Sequence, residues 1–262
     1  MRNSTAIFTA AFAAFTIPFA TQAAQVQVKV TVENLAPTNS VSFAPLRLGF
    51  NKGTFDAFNL GSAASAPIIS VAEGGGGAAW FPAFLAADPT ATLGTVVPNP
   101  AGPLLPGSNG TNTFIVDTTV NPFFTFAAMA VPSNDFFVGN DSPTAFRLFD
   151  NAGNLLINSI TQKARDIWDA GSEIFDPLAA AFLAIGNNDL RANQGSVVAF
   201  NFAELAAFNG LTTAAGYAFN SQLSADTAVY RISFAASPVP LPAALPLLFS
   251  GLGLLGVAYR RA

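Results

Sequence analysis

The chain has 262 residues, 51% of them apolar, and carries 11 basic against 15 acidic side chains for a net charge of −4. It contains neither histidine nor cysteine, which excludes Ser-His-Asp and Cys-His catalysis, imidazole- or thiolate-held transition metals, and disulfide stapling. An acidic chain without a Lys/Arg cluster is also a poor partner for nucleic acid, whose affinity rests on neutralising phosphates.

From the start, Arg2 precedes an apolar run over residues 6–20, and Thr21-Gln22-Ala23-Ala24 then offers small residues for cleavage. This reads as a secretory signal peptide over residues 1–23. The segment 25–34, QVQVKVTVEN, alternates Val26, Val28, Val30 and Val32 with polar neighbours, the period of a half-buried strand. Further strands are expected over 46–50, 113–117, 123–131, 145–149, 155–160, 196–202 and 228–234, with a hairpin at Asp150-Asn151-Ala152-Gly153-Asn154. Helical pieces are few: 69–73, 78–87, 201–208, and 176–186, where Asp176 is a natural N-cap and Pro177 a first-turn residue. Glycines 74–77 are not followed by Gly-Lys-Ser/Thr, so they read as a flexible loop rather than a phosphate cradle. Many short strands punctuated by Gly, Pro and Asn predict an all-β antiparallel sandwich over residues 24–238. The 26 phenylalanines suit facing sheets, which aromatic pairs stabilise. Without Arg2, Arg260 and Arg261, that domain holds 8 basic and 15 acidic residues, a net charge of −7.

The last segment, 239–262, reads VPLPAALPLLFSGLGLLGVAYRRA. Its apolar stretch over 243–258 is somewhat shorter than the roughly 20 residues that span a bilayer, and Arg260 and Arg261 would remain cytoplasmic. Val239-Pro240-Leu241-Pro242-Ala243, the hydrophobic helix and the basic tail together resemble the VPLPA-type variant of the bacterial PEP-CTERM sorting signals. That resemblance implies recognition by an exosortase-type transpeptidase, a transient transmembrane helix in the inner membrane, and delivery to the cell surface or beyond. The competing reading is a permanent tail anchor.

With imidazole and thiol absent, only oxygen ligands remain, from carboxylates, hydroxyls, amides and carbonyls. Three acidic clusters stand out: Asp135, with Ser133, Asn134, Asn140 and Asp141 around it; Asp169 and Glu173 in DAGSE; and Asp150-Asn151. Each alone is an ordinary turn, because Asp and Asn bond their own backbone two residues on. Asp169 and Glu173, four apart with Gly171 between them, can be aimed at one point by a folded-back loop, and Asp135 leaves the end of a separate apolar strand. Three carboxylates with loop carbonyls suit Ca2+, which takes 6–8 oxygens, better than Mg2+, which keeps most of its waters. A rival is a carboxylate-based glycoside hydrolase using Glu73 and Glu204. Such an enzyme needs two carboxyl groups about 5–9.5 Å apart across a sugar cleft, and both tryptophans fall outside the expected strands. A purely structural matrix protein is the third reading.

Longer pieces resemble the spondin N-terminal (F-spondin) domain in order along residues 26–235. VKVTVEN at 28–34 is similar to its opening strand, and Ser70-Val71-Ala72-Glu73-Gly74 to its Ala-Glu-x-Gly element. GPLLPG at 102–107 with the strand at 113–117 resembles its strand entry, AAMAVPSNDFFVG at 127–139 its Met-x-Val-Pro-Ser-x-Asp motif, and DAGSE at 169–173 its Asp-Ala-Gly-Thr-acidic motif. The resemblance implies a C2-like sandwich that binds one Ca2+ through Asp135, Asp169 and Glu173 and serves non-catalytic adhesion or recognition, toward extracellular polysaccharide or a surface protein. Phe136 stands where Trp is common, and Glu173 replaces an Asp found in some members. The cysteines and basic surface of animal relatives are absent, so their partners do not carry over.

Overall fold

The computed structural model describes residues 25–239, so the expected signal peptide and all but the first residue of the sorting segment lie outside the described residues. Within them the chain is an all-β sandwich of two antiparallel sheets. In chain order the strands are β1 (Gln25–Asn34), β2 (Ser42–Phe43), β3 (Leu46–Asn51), β4 (Thr92–Val96), β5 (Asn109–Asp117), β6 (Phe123–Val131), β7 (Phe136–Gly139), β8 (Ser159–Lys163), β9 (Trp168–Asp169), β10 (Ala199–Phe200) and β11 (Ala228–Pro238). Two short helices, α1 (Ala66–Ala72) and α2 (Trp80–Ala87), lie between β3 and β4. One sheet has the order β5-β1-β11-β8; the other runs β10-β9-β7-β6-β3-β4, with β2 added on β6.

The alternation in β1 does what its period requires: Val28, Val30 and Val32 are buried, and β1 is paired on both sides, Val30 with Phe234 of β11 and with Asn112 of β5. These valines join Phe114, Val116, Ile232 and Phe234 against Leu48, Phe50, Phe124 and Phe126 of the facing sheet in one core. Strand β6 lacks alternation for a different reason. Phe124, Phe126, Ala128 and Ala130 face that core, while Ala127 faces a second one built from Ile68, Val71, Trp80 and Phe84 of the two helices. A strand covered on both faces has no exposed position for a polar side chain. The helices approach closely, since a Cβ on Gly49 would lie 2.5 Å from the Phe84 ring.

Several expected elements differ. The helix over 176–186 does not form. Asp176 caps a single turn through a bond from Leu178 N, after which Ala181 N donates to Ser133 O at 2.8 Å and Leu183 bridges Thr213. Tertiary pairing here outweighs a modest local propensity. The strand over 145–149 reduces to isolated bridges at Arg147 and Phe149, and that over 196–202 to the two residues of β10. The strand placed over 155–160 lies at β8, and the helix over 201–208 is a 3₁₀ segment, Phe202–Phe208. Glycines 74–77 are not a free loop: Gly75 N and Gly77 N donate to Val71 O and Ser70 O, closing the end of α1. Among the described residues no helix is long and apolar enough to cross a membrane.

Phe124 touches rings from both sheets, Phe50 at 5.3 Å and Phe234 at 4.9 Å. Phe124→Ala is expected to cost about 3–5 kcal/mol in urea unfolding. Ile115→Ala, 54% exposed on β5, should stay within about 0.5 kcal/mol of the parent.

Candidate functional site

Where β6 leaves the sheet, three consecutive polar residues, Ser133, Asn134 and Asp135, are almost fully buried. Each is satisfied by protein. Ser133 Oγ donates to Ala130 O at 2.5 Å and accepts from Phe136 N at 3.1 Å, turning the chain into β7. Asn134 accepts from Asp176 N at 3.1 Å and donates both to Asp176 O at 3.1 Å and to Glu173 Oε1 at 3.0 Å. Asp135 Oδ2 accepts three bonds, from Ser172 N at 2.7 Å, Ser172 Oγ at 3.1 Å and Glu173 N at 2.9 Å; Oδ1 receives none of these.

The register explains why DAGSE reaches this point. β9 pairs with β7 so that Asp169 lies opposite Phe136, next to Asp135, and it pairs with β10 so that Asp169 lies opposite Ala199. Gly171 then turns the loop back at φ +64°, where a Cβ would come within 2.7 Å of Val197 O. Asp169 Oδ1 accepts from Gly171 N at 2.7 Å. Asn201, just past β10, donates from one amide nitrogen to Asp169 Oδ2 at 3.3 Å and to Glu204 Oε2.

The result is a cavity of about 270 Å³ whose wall includes Asp135, Asp169, Glu173 and Glu204. Burial, reinforced by Asp169, raises the Asp135 carboxyl from its usual 3.8 to about 6 against the pull of its Glu173 and Ser172 bonds. Burial also raises Glu173 from 4.5 to about 7, with Glu73 and Asp135 adding repulsion while Asn134 and Arg191 oppose it. Glu204 is pushed up by burial and then by Asp169. Arg191 Nε stands 3.3 Å from Glu173 Oε2, yet neither atom makes a hydrogen bond among the described residues, so the attraction is coulombic. Arg191 also donates to Glu73 O, and it lines a separate notch behind Glu173 together with Glu73.

The three carboxylates expected from sequence, Asp135, Asp169 and Glu173, therefore share one cavity wall. Ser133 and Asn134 join them there, but Asn140 and Asp141 line a different depression. Asn140 is structural, accepting from Phe126 N at 2.9 Å and donating to Ser142 O at 2.9 Å. Glu204 was expected only as a hydrolase acid; it lies on the acidic cavity, whereas Glu73 lies in the notch, so those two do not face one space. Asn201 and Arg191 carried no sequence signal, Asn201 being joined to the site by a contact 32 residues away in the chain and Arg191 by its ion pair with Glu173.

In kind the donor set suits a hard cation, since the walls offer carboxylate and amide oxygens and no soft ligand. In arrangement it is open: among the described residues no group of three or more acidic side chains is disposed to hold a metal ion. Both Glu173 oxygens are already engaged, one by Asn134 and one by Arg191. Neither a scan of protein-family models nor a search of curated protein sequences found a match to this chain.

The raised carboxyls set a pH dependence for the metal-free protein. A folded value above the unfolded one means the native state binds more protons in between, so stability falls as pH rises. For Asp135 and Glu173 the loss begins near their ordinary values of 3.8 and 4.5 and is complete above about 7. Asp88, whose carboxyl is lowered by bonds from Thr90 and Lys52 despite the opposing effect of burial, acts in the opposite sense but only below its ordinary 3.8. Denaturant unfolding in EDTA should thus show falling stability from pH 4.5 to 7.5, a trend reduced in Asp135→Asn. A rise over that range would contradict this balance of burial against hydrogen bonding.

Proposed function

We propose that this protein is an exported, non-catalytic recognition or adhesion module of the bacterial surface or extracellular matrix, and that the acid-lined cavity takes up Ca2+. The observation that carries the reading is the gathering of Asp135, Asp169, Glu173 and Glu204 on one cavity, of which Glu173 alone makes an ion pair, with Arg191, among the described residues. Like charges brought together under burial repel, and a divalent cation relieves that repulsion. Asp135 and Asp169, with Glu173 as the third carboxylate, would hold the ion. Bound there, calcium would fasten the β6–β7 exit to the DAGSE loop, since any ligand specific to the folded state adds to stability.

The export half of the proposal is supported by the Arg2-led apolar N-terminus and the VPLPA-like tail. An exosortase-type transpeptidase is the processing partner it implies, with extracellular polysaccharide or a surface protein as the eventual target. The placement of Glu73 and Glu204 on separate hollows favours recognition over hydrolysis by that pair.

Calcium at about a hundred times its dissociation constant stabilises a folded state by about 2.7 kcal/mol. In a domain of this size that corresponds to a rise of about 5–11 °C in Tm. Differential scanning calorimetry in EDTA and then in calcium should show this shift, and Asp169→Ala should abolish it. Arg191→Gln, which removes the resident positive charge beside Glu173, should lower Tm in EDTA and enlarge the calcium increment. Identical melts of the parent in EDTA and calcium would end the calcium reading.

A further inference from the structure

A second depression, of about 370 Å³, opens where the end of β7, strand β8 and the β9–β10 edge meet. Its aromatic wall is built by stacking: the Trp168 and Phe200 rings lie 3.9 Å apart at 30°. Trp168 is buried beneath, whereas Phe200 is 47% exposed, so the stack ends in an open phenyl ring on the hollow. Phe146 adds a third aromatic side chain.

Two polar groups on this wall are left without a partner among the described residues, whereas Asn140 and Ser142 are bonded within the protein. Gln162 is only 8% exposed, lines the hollow, and its side-chain amide makes no hydrogen bond among the described residues. Asp141 Oδ1 is shut off from solvent without a hydrogen-bond partner. Buried polar atoms are nearly always paired, and an unpaired one carries a desolvation cost. Asp166 lies on the same wall and uses Oδ2 to accept from Lys163 N at 2.8 Å. Among the described residues no lysine or arginine lines the hollow, which disfavours phosphate, sulfate and uronic acids.

An open aromatic ring sharing a hollow with a free amide and the Asp166 carboxylate is the pattern of a site for a ring that is apolar on its face and hydroxylated at its rim. We infer that this depression is a binding subsite for a neutral hexopyranose unit of a polysaccharide. The sugar's C–H face lies on Phe200, one hydroxyl donates to the Asp166 carboxylate, and another hydroxyl accepts from Gln162 Nε2. A cationic amine would leave the Gln162 donor unused, so the hydroxylated ring is the better match. The inference rests on the recognition reading for the origin of the ligand, but uses a different hollow from the acidic cavity.

The test is a titration of the purified protein with cellohexaose and maltohexaose, each in EDTA and in calcium, with spermidine and a galacturonate hexamer as charged probes. Trp80 is fully buried, which makes Trp168 the tryptophan whose emission reports the hollow, and calorimetry supplies the affinity. At least one neutral hexasaccharide should bind at millimolar concentration or below, and both Phe200→Ala and Gln162→Leu should weaken it about tenfold or more while melting within a few degrees of the parent. Binding to the charged probes alone, failure of both neutral sugars, or neutral-sugar binding unchanged in both variants would overturn the inference. Sugar binding that persists in EDTA without any calcium-induced melting shift would leave the subsite standing and remove only the calcium reading.

Discussion

Strand β6 is buried on both faces, against the opposite sheet on one side and against α1 and α2 on the other, and the rest of the molecule is arranged around that constraint. Such a strand can hold nothing but apolar and small side chains over its central residues, and FTFAAMAV supplies them. Its burial does not stop where the strand stops. Ser133, Asn134 and Asp135 continue into the interior, and burial strips them of the solvent that would otherwise bond to them. Their partners must therefore come from protein, and apart from the Ser133 hydroxyl, which bonds Ala130 O and Phe136 N, they come from residues 170–181. Ala170 N donates to Asp135 O, Ala181 N donates to Ser133 O, and Asn134 is bonded to Asp176 through both main-chain groups. The long irregular stretch after β9 is thereby ordered without regular secondary structure of its own.

The same constraint creates the site's electrostatics. Three donors on Asp135 Oδ2 favour its ionised form, and hydrogen bonds to a charged group contribute about 1.5–3 kcal/mol each. Burial nevertheless remains the larger effect, because the carboxyl ends up raised to about 6. Backbone donors alone do not compensate an acidic group placed beside Asp169 and Glu173. Arg191 offsets part of the charge at Glu173, but at 3.3 Å and without a hydrogen bond it leaves that carboxyl at about 7. The cavity is thus held together by neighbouring packing rather than by its own charges, a state that protonation of Asp135 and Glu173 relieves.

Legibility in the sequence followed the range of the interactions. Strand β1 was readable from its valine alternation and β6 from its unbroken apolar run, because one-sided and two-sided burial each write a local pattern. The grouping of Asp135, Asp169 and Glu173 on one wall was readable from a strand end and a four-residue spacing around Gly171. The expected helix at 176–186 failed because its local signals, Asp176 and Pro177, are real but extend only one turn before Ser133 captures Ala181. Strands β9 and β10 have two residues each, too few for any period to register. Glu204, Asn201 and Arg191 reach the site across the fold, and Trp168 acquires its role only because Phe200 stacks on it.

The two-residue pairing of β9 with β10 joins both hollows. In one register Asp169 sits opposite Ala199 and Trp168 opposite Phe200, and adjacent residues on a strand point to opposite faces. Asp169 therefore serves the acidic cavity while Trp168 continues an aromatic row from Phe137, 6.4 Å away, to Phe200. A pairing this short has little stability of its own. It is kept in place by the Asp135 bonds to the DAGSE loop on one side and by the aromatic row on the other. The edge of the larger sheet thus sets the acidic cavity and the aromatic hollow on one short pairing.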